Sequence, residues 1–368
     1  VAMLGTYGGF TAVVVGAFMM DPPKELWPDG VPPVSPAVGS TMNLSAQYFF
    51  VYLGIAVCHT YQDFQGKTPF LTKLEGIFRM AVNTVNFAPM LCILFIGARM
   101  RALQIDPVNG NPQRWAQMCF YACAYSVLVQ LALVFVIPLV LGGEVKREKG
   151  AADGDVTFVL DDSQKTTLSV LTGVRFLLML ALYGGFTAVI VSVHTIEDKT
   201  GTVPPLSPAM LCVMNLTVQY FLVYLLFWVF LTTKQFVESM KETMTACMEV
   251  VTIAQKTVKF APMLSVLFIG LRLRALQITD QKGSPQGWAQ QGMFLATYAV
   301  MLQLLLIFCM GALKGPPKTD EEGNPVAEGA GGMAMALSGF RYLALLCVYG
   351  GAITCVYALF TITPETAT

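Results

Sequence analysis

Charge is what this chain has least of: only 12% of its 368 residues are Asp, Glu, Lys or Arg, about half the share of an ordinary soluble domain. With 55% of the residues apolar, there is too little charge to cover a core, and a water-soluble globular protein is excluded. Lys and Arg balance Asp and Glu at 23 each, so no net basic field draws the chain to nucleic acid, and no nucleic-acid partner is expected. Histidine is rarer still. With two in the whole chain and no pair on one helix, a haem or zinc site built on histidines has no basis. The nine cysteines form no CxxC pair and sit mostly inside apolar runs, where they read as small packing residues. Walker loop, HExxH and GxSxG patterns are missing, and no GxGxxG opens a helix after a strand, so no enzyme activity is expected. No apolar run holds an Asp or Glu near its centre, which disfavours an ion pump or proton-coupled carrier.

What the sequence does have is long apolar runs that repeat. FAPMLCILFIGARMRALQI, residues 87–105, returns as FAPMLSVLFIGLRLRALQI at 260–278. Each copy has a proline near its start and two arginines near its end, the pattern of a membrane span with a basic exit. VPPVSPA and VPPLSPA precede a second shared span, and Ser35-Pro36 and Ser207-Pro208 read there as N-cap and first helical residue. Tyr61 to Asn86 and Lys234 to Lys259 are more polar at helical spacing, and are expected at the interface or as an extension of the next helix.

These runs predict an all-α integral membrane protein of about nine transmembrane helices, arranged as two parallel four-helix repeats plus one helix of a third. Residues 1–142 form the first repeat and 143–169 a polar extramembrane loop, with a small hairpin around Thr157-Phe158-Val159-Leu160. Residues 170–313 form the second repeat, 314–337 a flexible linker, and 338–368 a single span copying the first helix. An even number of spans per copy gives both copies the same orientation. Loops after the even spans hold most of the Lys and Arg, so that side is expected to be cytoplasmic or stromal. Tyr7-Gly8-Gly9 recurs as Tyr183-Gly184-Gly185 and Tyr349-Gly350-Gly351, the later two preceded by Arg175 and Arg341; the first copy starts too late to include such an arginine, which suggests excision from a longer tandem array.

Two sets of polar residues are candidates for a site. Asn43, Gln47 and Gln130, with their counterparts Asn215, Gln219 and Gln303, are the deeply placed polar side chains that recur in both copies. Four residues apart places Asn43 and Gln47, like Asn215 and Gln219, on one helical face. They read either as hydrogen bonds between helices or as cofactor-binding groups, an amide oxygen on the magnesium of a chlorophyll or a donor to a carotenoid or quinone. His59 joins this set as a possible ligand, although Leu231 stands in its place in the other copy. Arg99, Arg101, Arg272 and Arg274 read either as cations complementing a helix C-terminus or as a site for an anionic lipid or headgroup. Pro89 and Pro262 mark either a kink that frees a carbonyl or a break between an interfacial helix and a span.

The tandem repeats and the FAPML...RxRALQ segment resemble multi-span membrane proteins of algae with complex plastids. That resemblance covers about nineteen residues per repeat and carries no known active site. It implies a thylakoid location beside a photosystem or its antenna, with chlorophyll, carotenoid and bound lipids as companions. Antenna proteins of the three-helix type pair Glu and Arg in an ExxxxR-like pattern; here Glu75 and Arg79 are four apart and the second copy lacks them, so the chain is not an ordinary antenna protein. Two function classes remain open: a non-catalytic accessory or scaffold subunit packing against membrane lipids and other integral subunits, or a passive transporter or channel for a small solute.

Overall fold

The computed structural model describes residues 34–66, 68–106, 110–141, 144–146, 157–159, 162–196, 205–279, 285–314 and 332–363, together with Gly8, Gly9, Ala12 and Val15. It divides into two units, Val1–Ile196 and Glu197–Thr368.

In the first unit, Ser35 starts α1 (Pro36–Gln65): its Oγ accepts from the Val38 N–H at 3.4 Å, and Pro36 occupies a first-turn position where no N–H is needed. The helix stops at Gly66, whose φ of 81° and ψ of 169° suit glycine alone. Thr68 then caps α2 (Pro69–Val85), and its Oγ1 accepts from the Leu71 N–H at 3.3 Å. Asn86 and Phe87 stay right-handed between α2 and α3 (Ala88–Ile105), so the two helices read as one run of 37 residues. That run is about 55 Å long against a hydrocarbon core of about 30 Å. Either α2 projects beyond the bilayer or the run lies oblique to it. Pro89 falls in the first turn of α3, where it breaks no intrahelical bond. The proline therefore stands at the junction of α2 and α3, in the first turn of α3.

Arg114–Leu141 forms α4, and a hairpin of β1 (Glu144–Lys146) and β2 (Thr157–Val159) follows, antiparallel with Val145 opposite Phe158. It stands at the expected place. Asp162–Thr195 is α5. Helix α1 packs on α2, α3 and α4, while α5 packs on α4 and α3. Phe87, Leu91, Leu94, Phe95 and Phe120 are buried in this core, and the Phe95 and Phe120 rings lie 5.0 Å apart.

In the second unit, α6 (Pro208–Phe236) starts on Ser207, whose Oγ accepts from the Met210 N–H at 3.4 Å. A 3-10 turn at Glu238–Met240 leads to α7 (Lys241–Val258), α8 (Ala261–Thr279), α9 (Gly287–Lys314) and α10 (Gly332–Thr361). Helix α6 packs on α7, α8 and α9, and α10 packs on α9 and α8.

The nine expected spans are not what the described residues hold: seven helices are long and apolar enough to cross a membrane. The first expected span lies outside the described residues apart from Gly8, Gly9, Ala12 and Val15, and Ala261–Thr279 is not among the seven. The units also run out of phase with the four, four, one plan, because α5 packs onto α3 and α4, and α10 packs onto α8 and α9. Close approach makes both contacts. A Cβ on Gly185 would stand 2.7 Å from Cys123 Sγ, and one on Gly351 would strike the Gly292 carbonyl oxygen. The chain is an all-α membrane protein whose apolar helices contact lipid.

Candidate functional site

The amides occupy the seam between α1 and α4 in one unit and between α6 and α9 in the other. Gln47 Nε2 donates to Asn43 Oδ1 one turn back on α1, and to the Ala124 carbonyl on α4 at 3.3 Å. In the second unit Gln219 Nε2 donates to Asn215 Oδ1, and to the Thr297 carbonyl on α9 at 3.5 Å. Each amide thus ties two spans together. Such a bond is worth about 0.6 to 2 kcal/mol inside a membrane.

The same arrangement leaves the same atoms over. Gln47 Oε1 and Gln219 Oε1 are buried without a hydrogen-bond partner, and so are Gln130 Nε2 and Gln303 Nε2. Gln130 is 1% exposed and Gln303 4% exposed. A chlorophyll magnesium must approach its ligand atom face-on, and each of these atoms exposes less than 1 Å². In this conformation Gln47 and Gln219 serve helix contacts, and their Oε1 atoms are covered.

His59 is placed elsewhere, at the outer end of α1. Its Nε2 lies 3.3 Å from Glu75 Oε1 and 3.1 Å from Arg79 Nη2. Arg79 Nε donates to Glu75 Oε1 at 2.7 Å, and Gln62 Nε2 donates to Glu75 Oε2 at 3.0 Å. These four side chains fasten α1 to α2 across the Gly66 turn. The visible signal was the four-residue spacing of Glu75 and Arg79, which suits an ion pair on one helix.

The arginines do not act alike. Arg99 Nη1 donates to the Gly110 carbonyl and, at 2.6 Å, to Asn111 Oδ1, which holds the loop after α3 against its last turns. Arg101 is buried, with Nη1 donating to Gln104 Oε1 at 2.7 Å. Arg272 is buried as well, whereas Arg274 is exposed. The loops carry one more recurring bond that the sequence did not advertise: Gln117 Nε2 to the Pro112 carbonyl at 2.8 Å, and Gln290 Nε2 to the Pro285 carbonyl at 2.6 Å.

Among the described residues no group of three or more His, Cys, Asp or Glu side chains could hold a metal ion. Comparison with protein-family models, curated proteins and solved structures gave no match.

Proposed function

We propose that the chain is a non-catalytic integral subunit of a larger membrane protein complex, built on nine spans as two parallel four-helix repeats and a ninth helix. The observation that carries this reading is a pair of tyrosines. Tyr125 and Tyr298 point outward from the middle of the spans Arg114–Pro138 and Gly287–Ala312, 54% and 51% exposed. The interface is about 15 Å from the middle of the hydrocarbon core, beyond the reach of a tyrosine side chain. Facing lipid tails, each hydroxyl would stay without a polar partner, which costs about 1 to 3 kcal/mol. A neighbouring subunit or a pigment with a carbonyl or hydroxyl removes that cost.

Helix α10 adds a second outward face, with Tyr342, Leu346, Tyr349, Ile353, Tyr357 and Phe360 exposed at three- and four-residue spacing. The resemblance to multi-span proteins of algae with complex plastids directs the proposal to a thylakoid photosystem or light-harvesting supercomplex, where chlorophyll or carotenoid would pack on these faces.

Purification in mild detergent tests the proposal. The expected result is a stoichiometric complex with other integral subunits and pigment, which Tyr125→Phe with Tyr298→Phe weakens while the purified chain keeps its helix content. Isolation as a free oligomer that conducts a solute across liposomes, with flux lost in Gln47→Leu or Gln219→Leu, would replace this reading by passive transport.

A further inference from the structure

The α1–α2 corner and its counterpart between α6 and α7 differ in backbone and in contents: the first turns at Gly66, and the second passes through Val237 and the 3-10 turn Glu238–Met240. In the first unit the corner is closed by Glu75, bonded to Gln62, Arg79 and His59. Repeat alignment places Lys234 at the position of Gln62, Met248 at Glu75, Thr252 at Arg79 and Leu231 at His59. The bonded cluster is therefore gone. In its place the second unit has a shallow depression, largely open to its surroundings, of about 420 Å³ and lined by Lys234, Thr245, Met248, Glu249, Thr252 and Ile253.

Its place and lining define what it can take. Lys234 stands in the last turn of α6, beyond its long apolar stretch, where a basic side chain is expected at headgroup level. Lys234 and Glu249 bring opposite charges to one depression yet form no ion pair within the described residues. Thr245 and Thr252 donate their hydroxyls to the Lys241 and Met248 carbonyls, so each oxygen keeps acceptor capacity toward the depression. Met248 and Ile253 supply the apolar part.

We infer that this depression binds the headgroup of a zwitterionic phospholipid, with the phosphate on Lys234, the ammonium on Glu249 and the threonine oxygens, and the start of an acyl chain along Met248 and Ile253. A phosphate placed at a lysine gains a charge-assisted bond, and an ammonium needs acceptors, which the carboxylate and hydroxyls provide. In the first unit the corresponding side chains bond to one another, so the site is expected in the second unit. The inference rests on membrane embedding and is independent of the subunit role.

The test loads the purified full chain with mixed micelles holding equal phosphatidylethanolamine and phosphatidylglycerol, removes excess lipid, and counts retained lipid by mass spectrometry. One phosphatidylethanolamine per chain is expected, in preference to phosphatidylglycerol, which lacks the ammonium. Lys234→Gln and Glu249→Gln should each lower retention about fivefold or more. The triple change Leu231→His, Met248→Glu, Thr252→Arg rebuilds the first unit's cluster and should abolish it. Retention that is unchanged in the two single variants, or equal retention of both lipids by the unaltered chain, would overturn the assignment.

Discussion

Gln47 and Gln130 respond differently to the same substitution. Gln47→Leu removes the bond from α1 to the Ala124 carbonyl and is expected to cost about 1 kcal/mol, read as a lower unfolding midpoint in mixed micelles titrated with sodium dodecyl sulfate. Gln130→Leu deletes a buried donor that has no partner, so its cost should be smaller, with the loss and the relief offsetting each other. Equal costs would mean that a bound molecule satisfies Gln130 Nε2. Amide pairing was legible in the sequence, because four-residue spacing on a helix announces itself. The acceptors were not: Ala124 and Thr297 contribute backbone carbonyls, which every residue has. Likewise Glu75 and Arg79 could be paired by spacing, but Gln62 and His59 reach them only because the chain turns at Gly66.

At the scale of elements, the helix starts were the most legible part. Ser35-Pro36 and Ser207-Pro208 combine a hydroxyl acceptor with a residue that lacks the N–H, and the helices begin there. Which helix each span packs against was hidden, since apolar runs of similar composition suit many neighbours. The recurring Gly-Gly pairs mark the repeat in the sequence without naming the helix that Gly185 or Gly351 approaches. Two adjacent glycines separate space from composition. Gly351→Val drives a side chain into the Gly292 carbonyl and the Ala296 methyl and should cost about 1 to 3 kcal/mol, whereas Gly350→Val meets nothing within 4 Å and should be nearly neutral. Thermal unfolding of the two purified variants distinguishes them. At the α1–α2 corner the limit is backbone geometry. Gly66 also has open space around it, yet Gly66→Ala should cost about 1 to 3 kcal/mol because its φ of 81° is unfavourable for any side chain. A larger deuterium uptake over residues 59–79 would report the loosened corner.

For the whole molecule, the membrane class was plain from composition and run length, while the boundaries of the packed units were not. Sequence similarity marks where a copy starts, and packing is decided by which faces can be covered. A fragment of residues 1–196 contains α5 and should stay monodisperse in detergent, as should 205–368. A fragment ending at residue 142 lacks α5, so the α4 surface at Cys119 and Cys123 that receives Gly185 and Leu182 is bare. That fragment should aggregate or be degraded, which size-exclusion profiles of the three expressed fragments would reveal. A stable fragment ending at 142 would show that the first four helices need no covering helix.

The helix that completes each unit is encoded at the start of the following copy. A recombination event that adds one full period of the gene, wherever its breakpoints fall within the repeated stretch, therefore inserts one more complete body together with its own cover. An array built on this principle is expected to lengthen or shorten by whole periods without baring the face that α5 covers.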